Sequence, residues 1–461
     1  MGTMKFRVEK DSMGSLKVPA DAYFGVHTQR SFNNFQISGI EWNPQILISI
    51  TLLKLACAKA NNELKLLDNK KANAIAKACN EIIEGKFYDQ FPLDIFQTGS
   101  GTSTHMNVNE VIANLANEIL KGSKVHPNDD VNKGQSTNDI IPSSIRMASI
   151  LLLDDLIENL ASLKNGFNKK GNQFSKILKS GRTHLQDAVP ITLGQEFNAY
   201  ATTMGKHIER LKETKKYVKV LGMGGTAVGT GINTSPRFRK LIIKHLNKET
   251  KLNFSITKDG IESTQFLTDI AALSSVLKLI AIDMNKISND LRLLSSGPKT
   301  GLNEINLPAM EPGSSIMPGK INPAICEVVN MVCHQVIGND TAITLSCMSG
   351  NLELNTHMPI IGHNIIESIG ILTNASKTFA DKCISGITAN KETCEAYAAM
   401  SPSLATALNP YLGYDKVALL VKESLKTNKS VKELVLEKKL MSKKELDRVL
   451  DPKKLTRPNL R

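Results

Sequence analysis

Between Asp269 and Ser296 the apolar residues Ile270, Leu273, Leu277, Ile280, Met284, Ile287, Leu291 and Leu294 recur at alternating spacings of 3 and 4. A seam sustained over nearly four heptads belongs to a long α-helix with one face packed against other helices. As a strand, with its period of about 2, the same residues would fall on both faces. Thr268 or Asp269 suits the helix start, and Gly297-Pro298 suits the stop. At about 1.5 Å per residue such a helix is roughly 40 Å long. A second seam passes through Ile150, Leu153, Ile157 and Leu160, and a third stripe follows Pro359 through Ile361, Ile365, Leu372 and Phe379. Strand-like alternation is scarce, with residues 217–221 the best short stretch. Aromatic residues make up only 5% of the 461, thin for a β-sandwich. The expectation is therefore an all-α chain around a central helix bundle. It divides into an N-terminal part at 1–138, the bundle at 139–390, and a small helical tail at 391–461. Helices of this length present apolar stripes that one chain leaves partly bare, which points to an oligomer.

The hydrophobic fraction of 41% and charged fraction of 22% are those of an ordinary globular protein. The net charge is +13, but residues 421–461 alone hold 13 Lys/Arg against 6 Asp/Glu. Much of the excess thus reads as a solvated, lysine-rich helical surface. A nucleic-acid partner is not expected, because the tail has neither interleaved aromatics nor a recognisable binding motif. No apolar run approaches the roughly 18–20 residues of a membrane span. The opening segment MGTMKFRVEK has no apolar signal core, and Phe6 stands where myristoylation requires Ser or Thr. A cytoplasmic location is the expectation. The cysteines, Cys57, Cys79, Cys326, Cys333, Cys347, Cys383 and Cys394, are odd in number and contain no C-x-x-C. Neither a disulfide framework nor an iron–sulfur cluster is expected. The histidines form no compact ligand set, so no metal is expected either. A Gly-rich stretch at 224–231 lacks the strand–loop–helix frame and the acidic residue of a dinucleotide site.

Four islands of Gly and small polar residues interrupt the helical pattern: TGSGTST (98–104), QSTND (135–139), GRTHLQD (181–187) and GSSIMPGKINP (313–323). Hydroxyls, amides and free backbone N–H groups in this density suit carboxylate oxygens. In the last island Gly313 and Gly319 permit unusual backbone angles, Pro318 and Pro323 stiffen the segment, and Lys320 supplies a cation. A serine becomes a base only where its alkoxide is strongly stabilised, and a loop of N–H donors beside an ammonium does that. Such a base suits removal of a proton from carbon next to a carboxylate.

At these islands the sequence resembles the fumarase/aspartase superfamily. GSSIMPGKINP is very close to the superfamily's signature loop, and the likeness runs from VEKDSMG (8–14) and VPADAYFG (18–25) to the tail. It implies an all-α fold of three domains, a homotetramer with a twenty-helix core, and active sites each built from three subunits. VHPNDDVNKGQSTND (125–139), GRTHLQDAVPITLGQEF (181–197), GGTAVGTGIN (224–233), SGNLELN (349–355) and TALNPYLGYDK (406–416) most resemble class II fumarases. The implied activity is reversible, cofactor-free hydration of fumarate to (S)-malate in the tricarboxylic acid cycle. GTST (101–104), Thr137 and NEINLP (303–308) look more like aspartate ammonia-lyases, the alternative.

The resemblance assigns roles residue by residue. Ser314 is the implied base, and His184 with Glu327 the pair that helps the leaving group depart. Lys320, Asn322 and Ile321, with Thr183, are implied to hold the carboxylate that gains charge. Ser100, Gly101, Thr102, Ser136, Thr137, Asn138 and Ser315 are implied to bind the rest of a small dicarboxylate. His126, Pro127, Asn128 and Asp129 match a secondary dicarboxylate site. Ser123, with Lys124 beside it, stands where the family often has Arg, and His105 stands where Asn is usual.

Overall fold

The computed structural model describes residues 5–122 and 124–458, with the side chains of Pro452 and Lys453 excepted. Ser123 lies outside the described residues. The fold is all-α, with short two-stranded sheets before and between the helices in sequence. A hairpin of β1 (Phe6–Asp11) and β2 (Gly14–Pro19) opens the chain, followed by α1 (Val26–Asn34), α2 (Pro44–Glu63), α3 (Asn69–Ile83) and α4 (Thr102–Leu120). The caps are local sequence chemistry. Asn43 accepts from the Gln45 N–H before Pro44-led α2, and Asp68 accepts from Lys70 and Lys71 at the start of α3.

The long helix α5 (Thr137–Gln173) leads to the hairpin of β3 (Leu178–Thr183) and β4 (Gln186–Thr192), then to α6 (Leu193–Val218). Next come β5 (Val220–Leu221), α7 (Pro236–Thr250), β6 (Ser255–Ile256), α8 (Gly260–Gln265) and α9 (Thr268–Leu294). After β7 (Ile305–Asn306) follow α10 (Ala324–Met348), α11 (Met358–Thr378), β8 (Thr388–Ala389) and α12 (Lys391–Met400). The chain ends in short helices that include α13 (Asn409–Leu412), α14 (Tyr414–Thr427), α15 (Val431–Glu437) and α16 (Lys443–Val449).

The seam read from the sequence is the core face of α9: all eight of its residues, from Ile270 to Leu294, are buried. On α5 the buried stripe runs through Ile150, Leu153, Leu156, Leu160, Leu163 and Phe167. Leu156 takes the place expected for Ile157, which is half-buried, because the true helical period drifts against a strict heptad. Of residues 217–221 only Val220–Leu221 form a strand, since α6 runs on to Val218. The hairpins carry no apolar alternation to read: β1 turns Arg7, Glu9 and Asp11 to its half-buried side and leaves Phe6 and Val8 exposed, and β3 buries three consecutive residues, Lys179, Ser180 and Gly181.

By their contacts the residues divide into two compact units. The first holds Met1–Ile157, Glu209–Ala281 and His334–Thr373; the second holds Glu158–Ile208, Ile282–Cys333 and Asn374–Arg461. Within the first, Arg146 of α5 clasps Asp269 of α9 at 2.7 and 2.9 Å, and Asp340 of α10 accepts from Ser274 and Lys278 of α9. Within the second, Asn330 of α10 donates to Asn285 of α9, Phe167 packs edge to face with Tyr200 and Phe379, and Phe197 does so with Tyr200. The tail has its own apolar cluster of Leu408, Leu420, Leu434, Val435 and Leu446, and capping boxes at Ser430/Glu433 and Ser442/Glu445 start two of its helices. Among the described residues no helix is long and apolar enough to cross a membrane.

Candidate active site

Three of the four polar islands run directly into a helix N-terminus. TGSGTST opens α4 at Thr102, QSTND opens α5 at Thr137, and GSSIMPGKINP opens α10 at Ala324. The first turn of a helix has unpaired N–H groups and the positive end of the dipole, so each junction favours an anion.

In the first unit the first two junctions meet. Gly101 caps α4 at φ 85°, and a Cβ there would lie 3.1 Å from the Ile141 side chain of α5. Glycine satisfies both demands. Ser100 Oγ and Thr102 Oγ1 are 2.9 Å apart. Ser136 Oγ accepts from the Asn138 N–H, and the Asn138 amide donates to the Ala227 carbonyl at 2.7 Å. Asp139 is buried and accepts from the N–H groups of Ser136, Gly224 and Thr226 at 3.0, 3.1 and 3.0 Å. The Gly-rich stretch 224–231 thus wraps a carboxylate of the protein itself. Burial raises Asp139 to about 6, against the opposing pull of those N–H groups and Lys54.

Behind this junction lies a group that motif reading passed over. Lys54 of α2 is fully buried; its Nζ is 2.6 Å from His105 Nε2 and donates to Asn132 Oδ1 at 2.9 Å. His105 is 1% exposed, and its Nδ1 is 2.8 Å from Thr137 Oγ1. Burial brings Lys54 down to about 7, and burial with the neighbouring Lys54 holds His105 well below the usual histidine range. The only sequence signal was His105 itself, in the place where Asn is usual. Lys54 sits inside an apolar helix and has no local pattern to mark it.

The secondary-site candidates occupy a surface turn of the first unit. His126 Nδ1 accepts from the N–H groups of Asn128 and Asp129 at 3.3 and 3.2 Å, with Pro127 in the turn between them. The buried Asp130 holds the turn, accepting from the His126 N–H and pairing with Lys71 at 2.7 Å.

The second unit holds the remaining candidates. GRTHLQD is the tip of the β3–β4 hairpin, and its central residues His184 and Leu185 have φ of 56° and 58°. That is the geometry of a type I′ turn, which projects Thr183 and His184 outward. The stem is anchored by Glu304, fully buried, which pairs with Lys179 at 3.2 Å and Arg182 at 2.9 Å. Glu304 belongs to NEINLP, so that motif supports the hairpin.

The signature loop closes on itself. The Gly313 N–H donates to the Lys320 carbonyl at 2.8 Å, and the Asn322 amide donates to the Gly313 carbonyl at 2.7 Å. Ser314 Oγ accepts from the N–H groups of Ile316 and Met317 at 3.2 and 3.0 Å. Residues 309–321 thereby ring an open depression of about 460 Å³ into which Ser314 and Lys320 face. Ser315, Lys320 and Ile321 are exposed. Glu327, in the first turn of α10, faces Arg292 at 3.8 Å. Among the described residues His184, Ser314 and Glu327 make no hydrogen bonds with one another.

Comparison with known proteins agrees with this architecture. A family profile described as lyase matches residues 14–338, and one described as fumarase C C-terminus matches residues 404–457. The chain is 45% identical to an aspartate ammonia-lyase of Helicobacter pylori, covering 98% of each chain. It is 46% identical to an aspartate ammonia-lyase of Pseudomonas aeruginosa, again over 98% of each. Against the crystal structure of a recombinant class II fumarase from Schistosoma mansoni the TM-score is 0.97 at 36% identity, covering 99% of this chain and all of that one. Fold, loop and full-length identity agree: the chain is a lyase of the fumarase/aspartase superfamily.

Proposed function

We propose that the chain is an aspartate ammonia-lyase, converting L-aspartate to fumarate and ammonia. The observation that carries this reading is the 45–46% identity over nearly the whole chain to relatives of that name, against 36% to the class II fumarase. Thr137, GTST and NEINLP point the same way. This reverses the order of the motif reading, which put fumarate hydratase first. Hydration of fumarate to (S)-malate stands as the second reading, favoured by the HPND and GYDK stretches.

In the proposed reaction Ser314 takes the Cβ proton. Two N–H groups already donate to its oxygen, and hydrogen bonds of that kind favour the alkoxide. The electron pair left on carbon moves into the adjacent carboxylate, which Lys320, Asn322, Ile321 and Thr183 would hold. That pair then forms the double bond as the C–N bond breaks, and the nitrogen leaves as ammonia with the C–N electrons. His184 with Glu327 would face the leaving group. Ser100, Gly101, Thr102, Ser136, Thr137, Asn138 and Ser315 would bind the other carboxylate. His126, Pro127, Asn128 and Asp129 would form a second dicarboxylate site. No cofactor or metal is invoked.

The candidates are divided between two units, and His184, Ser314 and Glu327 stand apart in hydrogen bonding. This supports sites completed by other copies in a homotetramer. The test is fumarate formation, followed by absorbance, from L-aspartate and from (S)-malate side by side. Turnover of aspartate with little or none of malate is expected. Turnover of malate alone would return the assignment to fumarate hydratase.

A further inference from the structure

A protonated lysine has three donors and no acceptor. Lys54 spends two of them on His105 Nε2 and Asn132 Oδ1. His105 Nε2 must then accept, so the neutral ring carries its proton on Nδ1. That proton donates to Thr137 Oγ1, 2.8 Å away. The threonine oxygen is thereby an acceptor inside the protein, and its own O–H is left for something outside. Lys54 and His105 are buried whereas Thr137 is only half-buried, so the chain of bonds surfaces at Thr137.

We propose that Lys54 and His105 are positioning residues that fix the hydrogen-bond polarity of Thr137, so that its O–H donates to a substrate carboxylate oxygen. The inference rests on the reading that Thr137 touches substrate. With a neutral Lys54 the tautomer is no longer imposed. Nδ1 then accepts the Thr137 proton in a fraction of molecules, and those present only lone pairs to the carboxylate. Lys54 comes down to about 7, so the change falls near neutral pH. The groups around the pair are Cys57 of α2, Cys79 of α3, Asp139 of α5 and His27 of α1.

The test uses the full-length enzyme and whichever of L-aspartate or (S)-malate it turns over, with succinate as a competitive dicarboxylate probe. Thr137→Val, Lys54→Met and His105→Leu are each expected to raise KM and the succinate inhibition constant about tenfold, the scale of one hydrogen bond to a charged group, with kcat of the two positioning variants, Lys54→Met and His105→Leu, changed less than about twofold. His105→Gln keeps an acceptor for Lys54 and a donor for Thr137, and it is expected to restore near-normal KM. It also carries the test if Lys54→Met fails to fold. Wild-type KM rises above about pH 7, and Lys54→Met flattens that rise. In a Thr137→Val background the Lys54 and His105 changes add nothing further. If Thr137→Val raises KM but Lys54→Met and His105→Leu do not, the inference falls alone. It also falls if their effects add fully to that of Thr137→Val. A Thr137→Val enzyme with normal KM removes Thr137 from the substrate, and the site reading beneath falls with it.

Discussion

Ser314 shows how much a single side chain owes to its backbone. Its oxygen sits at the focus of the Ile316 and Met317 N–H groups, a geometry enforced by the Gly313–Lys320 closure of the loop. Ser314→Ala removes the oxygen and leaves that closure, which is made by backbone and Asn322. We expect activity to fall about 10³-fold, within the range of a lost general base, with unchanged thermal unfolding. Near-normal turnover by the variant would exclude Ser314 as the base.

Lys54 makes an opposite contribution to stability. Its folded value of about 7 lies below the ordinary 10.5. Between those values the unfolded chain holds a proton that the folded chain has shed, so this group makes stability rise with pH. Below about 7 both states are protonated and the burial cost is fully present. The stability of Lys54→Met relative to wild type is therefore greatest at pH 6 and declines by up to about 1.4 kcal/mol per pH unit toward pH 10. Urea denaturation at pH 6 and 9.5 measures this; a difference that does not change with pH would contradict it.

At the scale of elements, the β3–β4 hairpin carries two of the implied site residues, Thr183 at the end of its first strand and His184 in a turn position that disfavours residues other than glycine. His184 and Leu185 both hold positive φ without being glycine, at a cost of order 1 kcal/mol each. The stem supplies the constraint: Glu304 clamps Lys179 and Arg182, and Gly181 lies opposite a bulge at Val189, where a Cβ on Gly181 would lie 2.5 Å from the Val189 carbonyl. Glu304→Gln keeps the shape and removes the charge, leaving the buried Lys179 with Glu196 as its one remaining ion partner among the described residues. A loss of about 3 kcal/mol in denaturant unfolding is expected, the low end for breaking a buried pair, with weaker turnover as the turn loosens. The hairpin was not legible as strands, because the buried positions of β3 are the consecutive polar and small residues Lys179, Ser180 and Gly181, which show no apolar alternation. NEINLP was legible only as a motif, since its role depends on a contact with residues more than a hundred positions away.

For the whole molecule, the apolar surface left bare by one chain is the main clue. On α10, Met331, Leu345 and Met348 are 63, 57 and 72% exposed. Hydrophobic residues so exposed on one bundle helix suit burial against further copies. If active sites are shared in a homotetramer, mixing two inactive variants restores some complete sites. Ser314→Ala, nearly inactive, and a Ser100→Ala/Ser136→Ala/Thr137→Val variant, stripped of three carboxylate contacts and assayed at low substrate, are expected to regain a measurable fraction of activity after dissociation and co-refolding together. Sites confined to one chain would give no regain.

The sequence by itself determined the helical class, the α9 seam and the superfamily. Those rest on local periodicity and on short motifs, which survive in a single string of residues. Only the tertiary structure decided that Asp139 is what the Gly-rich stretch encloses, that NEINLP braces the hairpin, and that Lys54 reaches Thr137 through His105. A buried lysine in an apolar helix resembles an error in the pattern until its partners are seen. Those partners come from a separate helix and from the turn before α5, and no spacing rule links them, because burial and hydrogen bonding act through space rather than along the chain.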